Sequence, residues 1–332
     1  MRRYWIAIGT AAVIMAPLQA QRFLGPAPKT QPALSVDEAT IDSSNQPQIG
    51  NGATGSAVVR AQILLARAHF SCGEIDGRFG TNLQTTVRAF QQNRGLPVTG
   101  VIDDATWKAL NVDTTVPVMT VTIAPQDERG PFVRIPANLM LQARLPSLGY
   151  TSPLEELSER FHSSPELMRA LNPHADWAEP GQELKVPSVV MNPPGSADHI
   201  VVSKEESTVR ALDSNGKLLA FYIATTGSDH DPLPIGEWKI LGVAWNPKFH
   251  YNPKLFWDAK KTDDKATIQP GPNNPVGVVW ISLAKEHYGI HGTPDPGLVG
   301  HAYSHGCIRL TNWDATELAS MVKPGTPATL KE

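Results

Sequence analysis

The spacing of hydrophobic residues changes near Asp198, and that change constrains the fold more than any other feature of the chain. Upstream, apolar residues recur at helical intervals. Downstream they fall into short runs divided by turn residues. Strand-like runs occupy residues 199–203, 207–212, 217–225, 238–243, 276–282, 289–291 and 328–330. Asn215-Gly216 between the second and third of these marks a type I′ hairpin. Only residues 313–321, with Trp313, Leu318 and Met321 after Thr311-Asn312, read as a helix. Closely spaced short strands with one late helix predict a mainly β sandwich or barrel over residues 198–332.

The rest of the chain divides into smaller pieces, so the fold class is multidomain. Residues 1–20 open with Arg2 and Arg3, continue through a short apolar run and Pro17, and reach Ala20; this is the layout of a secretory signal peptide. A membrane anchor is the competing reading, but the run is short against the ~20 residues that span a bilayer. Residues 21–48, rich in Pro, Gln and Ser, read as a flexible linker. Residues 49–112 hold three short helical stripes: Val58, Ile63, Leu64 and Leu65; Val87, Phe90 and Gln91 after a Thr81/Gln84 capping-box pattern; and Trp107 with Leu110. They predict a small three-helix bundle. Residues 113–149 read as a linker containing one strand, around Val116, Val118, Val121 and Ile123. Residues 150–190 read as two short helices, the second with Pro165 near its N-terminus, and a closing strand at Leu184 to Pro187.

Two of these pieces resemble known modules. Cys72-Gly73-Glu74-Ile75-Asp76-Gly77-Arg78-Phe79-Gly80, Val87-Arg88-Ala89-Phe90-Gln91 and Gly95 to Asp103 resemble the three-helix peptidoglycan-binding domain. The resemblance implies a role in holding the chain on the cell wall. Residues 150–190 resemble a LysM-like βααβ module, which in its family binds N-acetylglucosamine-containing glycans; a structural spacer is the alternative. A net charge of −3 offers no basic field for nucleic acid. The two cysteines, Cys72 and Cys307, are too few for a disulfide framework. Cys72, beside a glycine turn, reads as a small core residue.

Cys307 is different. It lies in Tyr303-Ser304-His305-Gly306-Cys307-Ile308-Arg309-Leu310, with His291, His301 and His305 shortly before it. A free thiol is only about 3% thiolate at pH 7, and a neighbouring imidazole raises that fraction by forming a thiolate–imidazolium pair. Gly292 and Gly306 allow close backbone approach, and N–H groups near Gly306 and Cys307 suit an oxyanion hole. These residues suggest a cysteine acyltransferase or hydrolase. Two other readings stay open: a zinc site from His291, His301, His305 and Cys307, and a thiol that is inert or paired with Cys72.

His291-Gly292 followed by Ser304-His305-Gly306-Cys307-Ile308-Arg309-Leu310 resembles the signature of the L,D-transpeptidase (YkuD-type) catalytic domain. Pro234-Ile235-Gly236, Asn274-Pro275-Val276-Gly277 and Pro324-Gly325-Thr326 support it. The resemblance implies that Cys307 is the nucleophile and His291 its base, oriented by the Gly292 carbonyl. It implies that Gly306 and Cys307 N–H groups, with His305 nearby, stabilise the oxyanion, and that Tyr303, Ser304 and Arg309 line the substrate site. The family needs no metal or cofactor. Its reaction releases D-alanine from a peptidoglycan tetrapeptide stem and forms a 3→3 cross-link through a thioester; carbapenems acylate the same sulfur. Partners expected on this basis are peptidoglycan stem peptides and glycan, with a wall-anchored lipoprotein as a further acceptor. The expected location is the periplasm or cell wall. An L,D-carboxypeptidase or cross-link hydrolase using the same cysteine, and a wall-binding scaffold, are the alternatives. Residues 245–268, with Trp245, Tyr251 and Trp257, read either as a lid over the donor stem or as a self-packed loop.

Overall fold

The computed structural model describes residues 33–125, 127, 130–189 and 192–332. The expected leader at 1–20 and the first part of the spacer lie outside the described residues. Residues from Leu34 to Glu332 form a single compact unit.

The chain starts with a one-turn helix, α1 (Glu38–Asp42), capped by Asp37, whose carboxylate accepts the Thr40 N–H at 2.8 Å. This corrects the flexible-linker reading for the described part of residues 21–48. Ile41 is fully buried in a cluster with Val59 and Ile63. Arg60 donates to the Ile41 carbonyl, and Trp107 Nε1 donates to Pro47 O, both at 2.9 Å. A polar composition hid a strap that needs only a few apolar anchors.

Helices α2 (Ser56–Arg67), α3 (Thr81–Asn93) and α4 (Asp104–Leu110) follow, with a two-residue strand β1 (Phe70–Ser71) between the first two. The expected capping box is not formed: Gly80 is the N-cap of α3 and makes no side-chain cap bond, while Thr81 is already helical. Val58, Leu64, Leu83, Val87, Phe90 and Trp107 pack together with Phe70 and Phe79. Cys72 joins this core as a free thiol.

Strand β2 (Val118–Thr122) pairs antiparallel with β3 (Glu183–Pro187), Val118 opposite Pro187 and Thr122 opposite Glu183. Between them lie α5 (Leu139–Gln142), α6 (Pro153–Arg160) and α7 (Pro165–Leu171). Ser152 and Ser164 cap α6 and α7, each with proline in the first turn. The partner strand of β3 therefore comes from residues 113–149, where a linker with one strand was expected. That segment is also fastened to the downstream domain, since the Leu148 N–H donates to Pro270 O at 2.9 Å and the Asn273 N–H donates to Leu148 O at 3.0 Å.

The remaining strands are β4 (His199–Ser203), β5 (Thr208–Leu212), β6 (Leu218–Ile223), β7 (Gly236–Trp245), β8 (Phe249–Tyr251), β9 (Ala266–Ile268), β10 (Val279–Leu283), β11 (Gly289–His291), β12 (Ile308–Arg309) and β13 (Pro327–Lys331), with helix α8 (Asn312–Met321) before the last. Strands β8 and β9 form a separate hairpin. The others make one nine-stranded sheet in the order β1-β6-β5-β4-β13-β7-β10-β11-β12. The domain is thus mainly β, but a single curled sheet takes the place of two packed ones. It curls until β12 meets the residue just beyond β6: Thr225 and Arg309 exchange backbone hydrogen bonds at 2.9 and 2.8 Å. Short strand signals do not reveal whether a sheet closes. Leu318 and Met321 of α8 fill the concave core with Ile200, Tyr222, Ile240, Ile281 and Ile308.

The helical region is joined to this sheet edge to edge. Strand β1 pairs in parallel with β6, Phe70 opposite Phe221 and Ser71 opposite Tyr222. Phe221, Ile223 and Val299 of the downstream domain are buried in the same cluster as Phe70 and Phe90.

Candidate active site

Strands β11 and β12 run parallel, Ile290 opposite Ile308 and His291 opposite Arg309. Across β10, Trp280 faces His291. Side chains alternate along a strand. Ile281, Ile290 and Ile308 enter the core; Trp280, His291 and Arg309 therefore take the opposite face, and Cys307, one residue before β12, shares it. The Cys307 thiol donates to the His287 carbonyl, its sulfur 3.7 Å away, beside Gly289 at the start of β11. The nucleophile candidate is thus held against the start of the strand whose last residue is the base candidate.

His291 is buried. Its Nδ1 is 2.7 Å from the Gly292 carbonyl, which assigns the proton to Nδ1 and leaves Nε2 as the basic nitrogen. Its ring stacks on Trp280 at 5.2 Å and 15°. Burial, reinforced by the Arg309 charge, pushes the imidazole down to about 3. Burial raises the Cys307 thiol, partly offset by the Gly289 N–H and Arg309. Desolvation thus works against the charged form of both groups and so against the expected thiolate–imidazolium pair, while the hydrogen bond to Gly292 favours imidazolium.

The loop before Cys307 is tightly determined. Ser304 is buried and donates its hydroxyl to the Cys307 carbonyl, and its N–H lies 3.4 Å from Thr226 O. The hydroxyl expected to line the substrate site is spent on the shape of the loop. Gly306 has φ +90°, and a Cβ there would stand 2.7 Å from Tyr288 Cε1. Only glycine fits without displacing that ring. His305, expected near the oxyanion, is turned to the segment after β8: its Nε2 is 3.1 Å from Asp258 and its ring meets Phe256 edge-on at 5.2 Å. Trp257, half-exposed, stacks on His230 at 4.6 Å. Tyr251 is buried and donates to Asp263, while Trp245 is exposed; Phe249, Tyr251 and Phe256 pack on one another, and Phe256 and Trp257 pack on His305. Tyr303 is 81% exposed. His301 is also exposed.

The two alternative readings of Cys307 meet this geometry. Both cysteines are free, so the pairing with Cys72 is not formed. Among the described residues no group of three His, Cys, Asp or Glu side chains converges as a metal site. Tyr288, Trp280 and Asn312 are site residues that the sequence reading passed over. Tyr288 and Trp280 are set by cross-strand register. Asn312, seen only as the lead-in to a helix, is buried beneath Gly292, its Oδ1 2.2 Å from where a Gly292 Cβ would stand.

A family model for the L,D-transpeptidase catalytic domain (YkuD) matches residues 197–330, and one described as "Putative peptidoglycan binding domain" matches residues 54–110. The Bacillus licheniformis protein named "Putative L,D-transpeptidase YkuD" is 31% identical over 175 residues, 52% of this chain and 90% of that protein. Its Bacillus subtilis namesake is 33% identical over 150 residues, 45% of this chain and 75% of that protein. Among solved structures, the L,D-transpeptidase (residues 123–326) from Xylanimonas cellulosilytica aligns over 86% of this chain and 98% of that one, at 14% identity and a TM-score of 0.38. These matches define a mainly β L,D-transpeptidase catalytic domain behind a domain of the peptidoglycan-binding kind. The chain belongs to the L,D-transpeptidase family.

Proposed function

We propose that the chain is a peptidoglycan L,D-transpeptidase that forms 3→3 cross-links through a thioester on Cys307. The observation that supports this reading is that β11 and β12 pair so that His291, ending β11, and Cys307, just before β12, fall on one face, with the imidazole hydrogen-bonded to the Gly292 carbonyl. As the sulfur attacks the carbonyl between the third and fourth stem residues, its proton passes to His291 Nε2. Among the described residues the N–H groups of Gly306 and Cys307 donate to no other group, which leaves them for the developing oxyanion. The C–N bond breaks and D-alanine leaves with the proton from His291. A second stem's amine then attacks the thioester, losing a proton to His291 and restoring the thiol. Arg309, half-buried on the same face as Cys307, offers its guanidinium to a substrate carboxylate.

On this reading the protein works in the periplasm or wall, sent there by the leader at residues 1–20, and residues 150–190 grip glycan in the LysM manner while the helical domain holds peptidoglycan. The test is intact-protein mass after incubation with a tetrapeptide donor or a carbapenem. Wild type gains one adduct; Cys307→Ala gains none and still binds sacculi. An adduct that persists in Cys307→Ala overturns the assignment. With purified muropeptides, 3→3 dimers distinguish transfer from hydrolysis, which yields tripeptide and D-alanine alone.

A further inference from the structure

Helix α6 lies upstream of the family's catalytic domain, yet one of its faces is built into the floor of the site. Glu155 and Glu159 are one turn apart and present two carboxyl groups to two asparagines of the downstream domain. Asn273 Nδ2 donates to Glu155 Oε1 at 2.7 Å and Asn312 Nδ2 donates to Glu159 Oε2 at 2.9 Å. Asn312 is the more consequential of the two. Its Nδ2 also reaches Pro272 O at 3.1 Å, and its Oδ1 accepts the Val278 N–H at 3.2 Å. The same Oδ1 would be 2.1 Å from a Cβ at Gly277 and 2.2 Å from one at Gly292. The amide is therefore wedged under two glycine backbones, one of which carries the carbonyl that aims His291.

Packing alone does not account for Glu159. A buried carboxyl is costly unless it makes a specific bond, and its bond is to Asn312. Burial, with Glu155 and Glu74 close by, raises the Glu159 carboxyl to about 8, so it is uncharged at neutral pH. A neutral acceptor is what the asparagine amide meets there, and glutamine supplies one of the same length.

We propose that Glu159 is a positioning residue for the transpeptidase reaction: it fixes the Asn312 amide, which holds the Gly292 carbonyl where it aligns the His291 imidazole. The segment read as a glycan-binding module is then also a structural part of the catalytic apparatus. This rests on the acyl-transfer reading above.

The experiment compares full-length wild type, Glu159→Gln and Glu159→Ala by two measurements. The first is kcat and KM for a tetrapeptide donor, with carbapenem acylation followed by mass. The second is the low-field Nδ1–H proton resonance of His291, which needs no turnover. Glu159→Ala is expected to lose about tenfold in kcat and in acylation rate, at unchanged KM, as a misaligned base would. It is also expected to lose the Nδ1–H resonance to exchange. Glu159→Gln is expected to restore both. If Glu159→Ala does not fold, Glu159→Met, which keeps the volume and removes the acceptor, takes its place. A resonance that persists in the alanine or methionine variant, or a glutamine variant as impaired as alanine, overturns the proposal. A wild type that forms no adduct overturns the acyl-transfer reading instead, while the resonance still decides whether Glu159 orders the imidazole.

Discussion

Cutting the chain to residues 197–332 is expected to yield a fragment that does not hold its fold. Phe221, Ile223 and Val299 are buried against Phe70, Phe90 and Leu83 of the helical domain. Burying one large apolar side chain stabilises by ~1.5–3 kcal/mol, so exposing these three costs about 5–9 kcal/mol. That is comparable to the whole stability of a domain, roughly 5–15 kcal/mol. The cut also strips β1 from β6, leaving an unpaired edge strand that invites aggregation. It removes the Asn82 amide from the Val299 carbonyl, 2.9 Å apart, and the Glu159 contact from Asn312. The assay is urea unfolding followed by tryptophan fluorescence and far-UV circular dichroism, with carbapenem acylation as the readout of the site. Full-length protein should unfold in one transition shared by both probes. The fragment should be insoluble or unfold without a sharp midpoint. A monomeric fragment with a cooperative transition near that of the full chain, acylating at the same rate, would refute the reasoning.

Two further expectations concern pH. With His291 pushed down to about 3, it is neutral across the physiological range, so carbapenem acylation should show no inflection near pH 6.5; a titration step there would mean the imidazole keeps its ordinary basicity. Asp314, buried and hydrogen-bonded by Ser71, is raised to about 8. Its folded-state value exceeds its unfolded one, so its contribution to stability is full below about pH 4 and is lost as pH rises through about 8. Thermal melts should therefore fall in Tm from pH 6 to 9, and Asp314→Asn should flatten that fall; an unchanged slope would exclude Asp314 as its source.

The candidate site was legible in the sequence because its candidate groups sit close together in the chain. His291, Gly292 and Cys307 span 17 residues, and a motif that short survives without knowledge of register. The imidazole's bond to the Gly292 carbonyl is also local and was expected on resemblance. Trp280, Tyr288 and Asn312 were not legible, because each reaches the site through strand pairing or a helix start rather than through proximity in sequence. Glu159 was further still, since nothing in a two-turn amphipathic helix says which domain its polar face will meet. Burial was not legible either: thiol and imidazole close in sequence suggest an ion pair, and the desolvation that opposes it comes from packing. The strap at residues 34–48 failed in another way. Its composition is that of a spacer, and one buried isoleucine with a few backbone bonds was enough to seat it.

The parallel pairing of β1 with β6 means that the peptidoglycan-binding domain has no slack relative to the sulfur. A domain on a loose tether lets its enzyme sample every neighbouring strand within a radius. Under the function proposed above, the described chain is a fixed caliper: once one jaw has settled on the polymer, the separation and tilt of the other are already chosen. On the proposed cross-linking reading, which pairs of stems come within range is then a matter of the wall's own lattice spacing, not of diffusion about an anchor.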